Sequence, residues 1–118
     1  MSALWSRGGN PSKVLDLVLN RQVKPCFDSR ILIEYQTVLK RPRLKFSAAE
    51  VNALLSIIKM FGISVVPPPV DISFTDESDR KFYEVAKHCD AKLITGNIKH
   101  FPAEPDILNP SDFLKGRC

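Results

Sequence analysis

The segment from Asp76 to Phe101 constrains the fold of this chain more than any other. Asp76-Glu77-Ser78-Asp79 opens an amphipathic stretch with Phe82, Val85, Ala86 and Cys89 on one stripe. Lys92-Leu93-Ile94-Thr95 then reads as a short apolar strand that stops at Gly96-Asn97. A helix feeding a buried strand is the repeating unit of a parallel sheet covered by helices. Ligands and metals bind such sheets outside the carboxyl ends of the strands. Acids at a helix entrance and a polar turn after a strand both fall at that edge.

The rest of the chain repeats the alternation. Gly8-Gly9-Asn10-Pro11-Ser12 is a turn followed by a helix start, with Val14, Leu15, Val18 and Leu19 at helical spacing. Val23 to Phe27 reads as a buried strand, and Asp28 or Ser29 caps a helix carrying Ile31, Leu32, Tyr35, Val38 and Leu39. That helix is expected to stop at Arg41-Pro42. Ser47-Ala48-Ala49-Glu50 is a capping box ahead of Val51, Leu54, Leu55 and Ile58, and Gly62 is expected at the C′ position. Ile63-Ser64-Val65-Val66 reads as a strand closed by Pro67-Pro68-Pro69, Asp106-Ile107-Leu108 as a short last strand, and Asn109 to Leu114 as a terminal turn or helix. The expected class is α/β, a doubly wound parallel sheet.

Such a sheet normally begins with a strand. Met1-Ser2-Ala3-Leu4-Trp5 is too short and too near the following turn to read as one. The expectation is therefore one domain over 1–118 that starts one strand late. The chain's 118 residues suffice for a single core. No apolar run reaches membrane-spanning length, and the N-terminus lacks the basic-then-apolar order of a secretory signal. A cytoplasmic location and no membrane partner are expected. Cys26, Cys89 and Cys118 are odd in number and form no Cys-x-x-Cys pair, so reduced structural thiols are expected.

The net charge of +4 is unevenly spread. Lys40, Arg41, Arg43 and Lys45 form a basic knot, and Asp71, Asp76, Glu77 and Asp79 an acidic one. A basic knot reads as a solvated loop or as a contact for nucleic-acid phosphates. Asp79 falls roughly 60° from Phe82 and about 20° from Ala86 around the helix, on the core side of its first turn. It either complements the helix dipole or serves a site, and Asp76 reads as a plain N-cap. Glu34 lies at the margin of an apolar arc and is solvated unless it meets Asp79. Carboxylates that share a site imply a raised pKa or a cation between them. Oxygen-only donors suit magnesium or manganese. Thr95 supplies a hydroxyl, Asn97 an amide oxygen or a turn, and His100 reads as a surface residue. No Gly-x-Ser-x-Gly, phosphate loop or dinucleotide fingerprint is present.

Four strings, taken in order, resemble the PIN-domain family, and within it the toxin branch of toxin–antitoxin systems. They are Gly8-Gly9-Asn10-Pro11-Ser12-Lys13-Val14-Leu15, Ser29 to Pro42 around Glu34, Asp76 to Ala86, and Leu93-Ile94-Thr95-Gly96-Asn97-Ile98-Lys99-His100-Phe101. The resemblance implies a three-layer α/β/α sandwich and a Mg²⁺- or Mn²⁺-dependent endoribonuclease. It implies Glu34 and Asp79 as metal ligands, Asp76 as an additional one, and Asn97 in a place where many relatives have Asp. RNA, a cognate antitoxin and a second copy of the chain are the implied partners.

The chain departs from the family at its front. The family's first, central strand ends in an Asp-Thr-Asn motif that supplies the first metal acid, and Met1-Ser2-Ala3-Leu4 resembles the segment just after it. The central strand and its Asp are therefore expected to be absent, a loss of roughly 8–15 kcal/mol of burial. Two further readings stay open. One is a catalytically impaired remnant that binds RNA or an antitoxin helix; the other is a receiver-like phosphoacceptor.

Overall fold

The computed structural model describes residues 2–5, 17–18, 20–41 and 46–115. The Gly8–Leu15 string, Leu19, Arg43, Lys45 and Cys118 lie outside the described residues.

A five-stranded parallel sheet forms the middle of the fold. In chain order its elements are β1 (Ser2–Trp5), β2 (Lys24–Phe27), α1 (Ser29–Val38), α2 (Ala48–Phe61), β3 (Ile63–Ser64), α3 (Arg80–Cys89), β4 (Lys92–Ile94), β5 (Ile107–Leu108) and α4 (Pro110–Lys115). Single 3₁₀ turns at Glu77–Asp79 and Ile98–His100 precede α3 and follow β4. The spatial order β3-β2-β1-β4-β5 reverses direction at β1, which makes the β1/β4 boundary the topological switch point.

The parallel α/β class matches the sequence reading, and the expectation of a missing first strand is corrected. The central position is filled: Ser2–Trp5 pairs with β2 through Ser2↔Lys24 and with β4 through Ala3↔Lys92, Leu4↔Leu93 and Trp5↔Ile94. Four residues read as too few for a strand, but a strand flanked on both sides gains ladder hydrogen bonds along both edges. What β1 lacks is an acid, since Ser, Ala, Leu and Trp are its only residues.

The helices form where local chemistry directs them. Asp28 caps α1 by accepting from the Ile31 N–H at 3.0 Å, and Ile31, Tyr35 and Val38 then face inward at helical spacing. Ser47 and Glu50 form the reciprocal capping box of α2, which buries Val51, Leu54, Leu55 and Ile58. Gly62 is the C-cap of that helix in an extended conformation, at φ −83° and ψ 177°, instead of a left-handed C′ residue. Its requirement for glycine is steric. A Cβ there would lie 2.4 Å from the Ile58 carbonyl oxygen and 2.8 Å from that of Pro25. The absent side chain lets β2 run directly past the helix end.

The strand after Gly62 is shorter than expected. Ile63–Ser64 pairs with β2, the Val65 N–H still donates to the Phe27 carbonyl at 3.0 Å, and residues 66–75 continue as an extended strap across the surface. Side chains of α3 hold this strap. Arg80 donates to the carbonyls of Val70 at 2.7 Å and Ile72 at 2.6 Å, while Glu84 accepts from the Val70 N–H at 2.9 Å. Phe82 and Val85 on the same helix are fully buried, and each such side chain contributes about 1.5–3 kcal/mol. The terminal Asn109–Leu114 segment folds as α4, which buries Phe113. Cys26 is fully buried and Cys89 half-buried.

Candidate active site at the entrance of α3

The site is built around the turn that leads into α3. Asp76 caps the 3₁₀ turn and not α3 itself, accepting from the Ser78 N–H at 3.0 Å and the Ser78 hydroxyl at 2.7 Å. Its side chain is exposed and committed to that local turn. Asp79 takes the N-cap position of α3 but makes no capping hydrogen bond with its side chain. Its carboxylate is buried at the positive end of the helix dipole. The core-side placement read from helical spacing is what the fold adopts.

Glu34 arrives from α1. Its Oε1 is 2.7 Å from Lys81 Nζ, and both side chains are largely shielded, at 16% and 13% exposure. The same ammonium donates to the Ser78 carbonyl. Glu34 is thus joined, through Lys81, to the residues that flank Asp79 in the chain. Asp79 Oδ2 in turn lies 3.3 Å from His100 Nδ1, on the 3₁₀ turn after β4. Glu34 Oε2 and Asp79 Oδ2 are both removed from solvent.

The strand-end residues take distinct positions. Thr95 is fully buried, and its hydroxyl accepts from the Asn97 N–H at 3.0 Å. Asn97 is exposed and shapes the turn that carries His100 across to Asp79. Outside the acids, a cleft of about 720 Å³ opens between α1 and α3. Its walls include Arg30, Arg41, Arg80 and Lys81, against the carboxylates of Glu34 and Glu77. Asp79 is not among its lining residues. Lys40 and Arg41 are exposed at the end of α1, and Arg41 reaches the cleft wall.

Sequence reasoning singled out the acids and missed their partners. Lys81 and Arg80 stand inside the Asp76–Ala86 string. Arg30 meets Glu84, and His100 meets Asp79, only through the tertiary fold.

Among the described residues, no three His, Cys, Asp or Glu side chains form a ready-made cage. Glu34 and Asp79 nevertheless fit a hard cation in kind. They offer oxygen donors only, shielded from solvent, beside a helix N-terminus. Each also carries a cationic or protonatable side chain of the protein.

Comparison with known proteins agrees with this architecture. An uncharacterized protein of Methanocaldococcus jannaschii is 33% identical over 101 residues, a match covering 82% of this chain and 64% of the relative. The chain therefore spans under two thirds of the length of that relative. No solved structure matches. Among the described residues, no helix is long and apolar enough to cross a membrane. The family profile described as the PIN domain matches residues 1–99, which include every element from β1 to β4 and both acids. With a parallel sheet wound about β1 and that match over most of its length, the chain belongs to the PIN-domain family.

Proposed function

We propose that this PIN-domain chain is a toxin-type endoribonuclease that hydrolyses RNA phosphodiester bonds with Mg²⁺ or Mn²⁺. One observation carries the reading. Glu34 of α1, far from Asp79 in sequence, pairs with Lys81, two residues beyond Asp79 at the entrance of α3. Glu34 and Asp79 would hold the ion, with Asp76, Thr95 and Asn97 as further site residues. Such an ion, when bound, activates water and stabilises the charge that develops on the phosphodiester.

The chain's own residues supply the remainder. Arg30, Arg41 and Arg80 line the adjacent cleft and attract phosphate oxygens, with Lys40 at its margin and Arg43 and Lys45 following in sequence. Buried Thr95 fixes the turn that presents His100 to Asp79. A cognate antitoxin, self-association and a cytoplasmic location complete the proposal. The test is incubation of the purified protein with a broad panel of single-stranded RNAs and Mn²⁺. Cleavage that disappears in Glu34→Gln and Asp79→Asn supports the assignment, and an intact panel refutes it.

A second reading is favoured by one specific observation: the central strand, Ser2–Trp5, carries no acid. On that reading the chain is a binding module for RNA or an antitoxin helix. RNA retention in a gel-shift experiment, with no cleavage at any Mn²⁺ concentration, would select it.

A further inference from the structure

We propose that Lys81 is the resident counter-cation of Glu34 and competes directly with a divalent ion for that carboxylate. The inference deepens the metal-dependent reading of the site and rests on it. Lys81 Nζ lies 2.7 Å from Glu34 Oε1 and donates to the Ser78 carbonyl, so its ammonium is held from two sides. The ammonium also stands 5.1 Å from the Phe82 ring, within range of a cation–π contact. With only 13% of its side chain exposed, Lys81 has exchanged most of its hydration for these contacts.

A divalent ion at Glu34 and an ammonium on the same oxygen repel each other. In a shielded site that repulsion is weakly screened. Lys81 must therefore leave Glu34 as the divalent ion arrives. Lys81 and Glu34 both line the open cleft between α1 and α3, so the ammonium has only to turn from the carboxylate toward that cleft. There its ammonium faces the space that phosphate oxygens would fill, beside Arg30, Arg41 and Arg80. Lys81 thereby links occupation of the acid site to the anion affinity of the cleft, and linkage makes the two reciprocal. The protein without metal remains neutralised at Glu34 and holds one cation fewer for RNA.

The test is Mn²⁺ titration followed by electron paramagnetic resonance on the purified chain, with no RNA present. Lys81→Gln is expected to bind Mn²⁺ about tenfold or more tightly than the unaltered protein, since it removes the cation that sits on Glu34 Oε1. Lys87→Gln removes an equal charge from the exposed pair with Glu104 and is expected to leave the affinity unchanged. Glu34→Gln combined with Lys81→Gln should erase the gain. Should Lys81→Gln fail to fold, the Lys81 side-chain ammonium resonance of the unaltered protein serves instead. It is expected to shift on Mg²⁺ addition and to stay fixed in Glu34→Gln. An unchanged Mn²⁺ affinity in folded Lys81→Gln, or a resonance indifferent to Mg²⁺, overturns the proposal. Absence of RNA cleavage would refute the nuclease reading alone, because the metal readout involves no RNA.

Discussion

Arg30 Nη1 on α1 donates to Glu84 Oε1 on α3 across 2.9 Å, and the other oxygen of the same carboxylate accepts from the Val70 N–H at 2.9 Å. One buried acid therefore joins two helices and the strap between β3 and α3. Arg30 also pairs with Asp28, the cap of α1, at 2.6 Å. Arg80 holds the same strap one helical turn earlier. The entrance of α3, where Asp79 and Lys81 stand, is thus fixed by Glu84 together with Arg30 and Arg80, two side chains that also line the cleft.

Glu84→Ala should destabilise the fold by about 2 kcal/mol. Loss of an acceptor leaves the Val70 N–H without its bond, worth about 1 kcal/mol or more when buried. The loss on the Arg30 side is discounted because that side chain is 45% exposed and regains water. Glu84→Gln keeps an oxygen for Val70 and should lose less. Urea unfolding of the two variants gives the comparison, and an alanine variant as stable as the parent would refute the strap's dependence on Glu84.

Gly62→Ala should destabilise by about 1–3 kcal/mol through overpacking. The added methyl meets two backbone oxygens, on Ile58 and Pro25, and neither can rotate away as a side chain could. Since φ is negative, the loss would come from the β2–α2 approach and not from a forbidden dihedral. Thermal unfolding of the variant, and loss of amide protection at Pro25's neighbours in β2, would report it.

Stability should fall at both ends of the pH scale through the Tyr83–Glu104–Lys87 group. The hydrogen bond from Lys87, and then that from Tyr83, hold the Glu104 carboxyl below its ordinary value of 4.5. The unfolded chain therefore takes up the proton first as pH falls. The stabilisation is present above 4.5 and is lost as pH drops through the lower folded value. Burial, and then the hydrogen bond to Glu104, raise the Tyr83 hydroxyl above 10.0. That contribution is full below 10.0 and disappears as pH rises through the folded value. In Glu104→Gln the acid limb of a melting-temperature profile should flatten, at a neutral-pH loss of about 1 kcal/mol.

Glu34→Gln and Asp79→Asn should each lower Mn²⁺-supported RNA cleavage by about a hundredfold or more, the scale for removing one group that stabilises developing charge. Chelation by EDTA should abolish cleavage, and added Mn²⁺ should restore it. Asp76→Asn should do much less, because Asp76 accepts from Ser78 and an amide oxygen can do the same. Initial rates on one labelled RNA would rank the variants, and equal losses at Asp76 and Asp79 would place Asp76 in the site.

What the sequence revealed was local. The Ser47–Glu50 box, the Asp28 cap, the inward stripe of α3 and the core-side position of Asp79 all follow from contacts within four residues, so periodicity and capping rules reach them. Lys81 on Glu34 and His100 on Asp79 are pairings across the fold, and no spacing rule encodes them. The role of β1 was hidden for a related reason. Four residues carry too little pattern to read as a strand, and their partners stand at Lys24–Pro25 and Lys92–Ile94. The helix-ending habit of Gly62 is legible in the sequence, while its need for glycine arises from the Ile58 carbonyl one turn back and from that of Pro25, which the sequence places far upstream.

The pairing of Ala3 with Lys92 and Trp5 with Ile94 also sets a timetable for synthesis. β1 leaves the ribosome well before β4 and must wait for it before the middle of the sheet can close. Until β4 emerges, one edge of β1 stays open to other chains. Loop-closure entropy over that separation slows the closing step. Nascent chains of this protein therefore pass through a long interval in which capture by a chaperone, or by another unpaired strand, competes with completion of the fold.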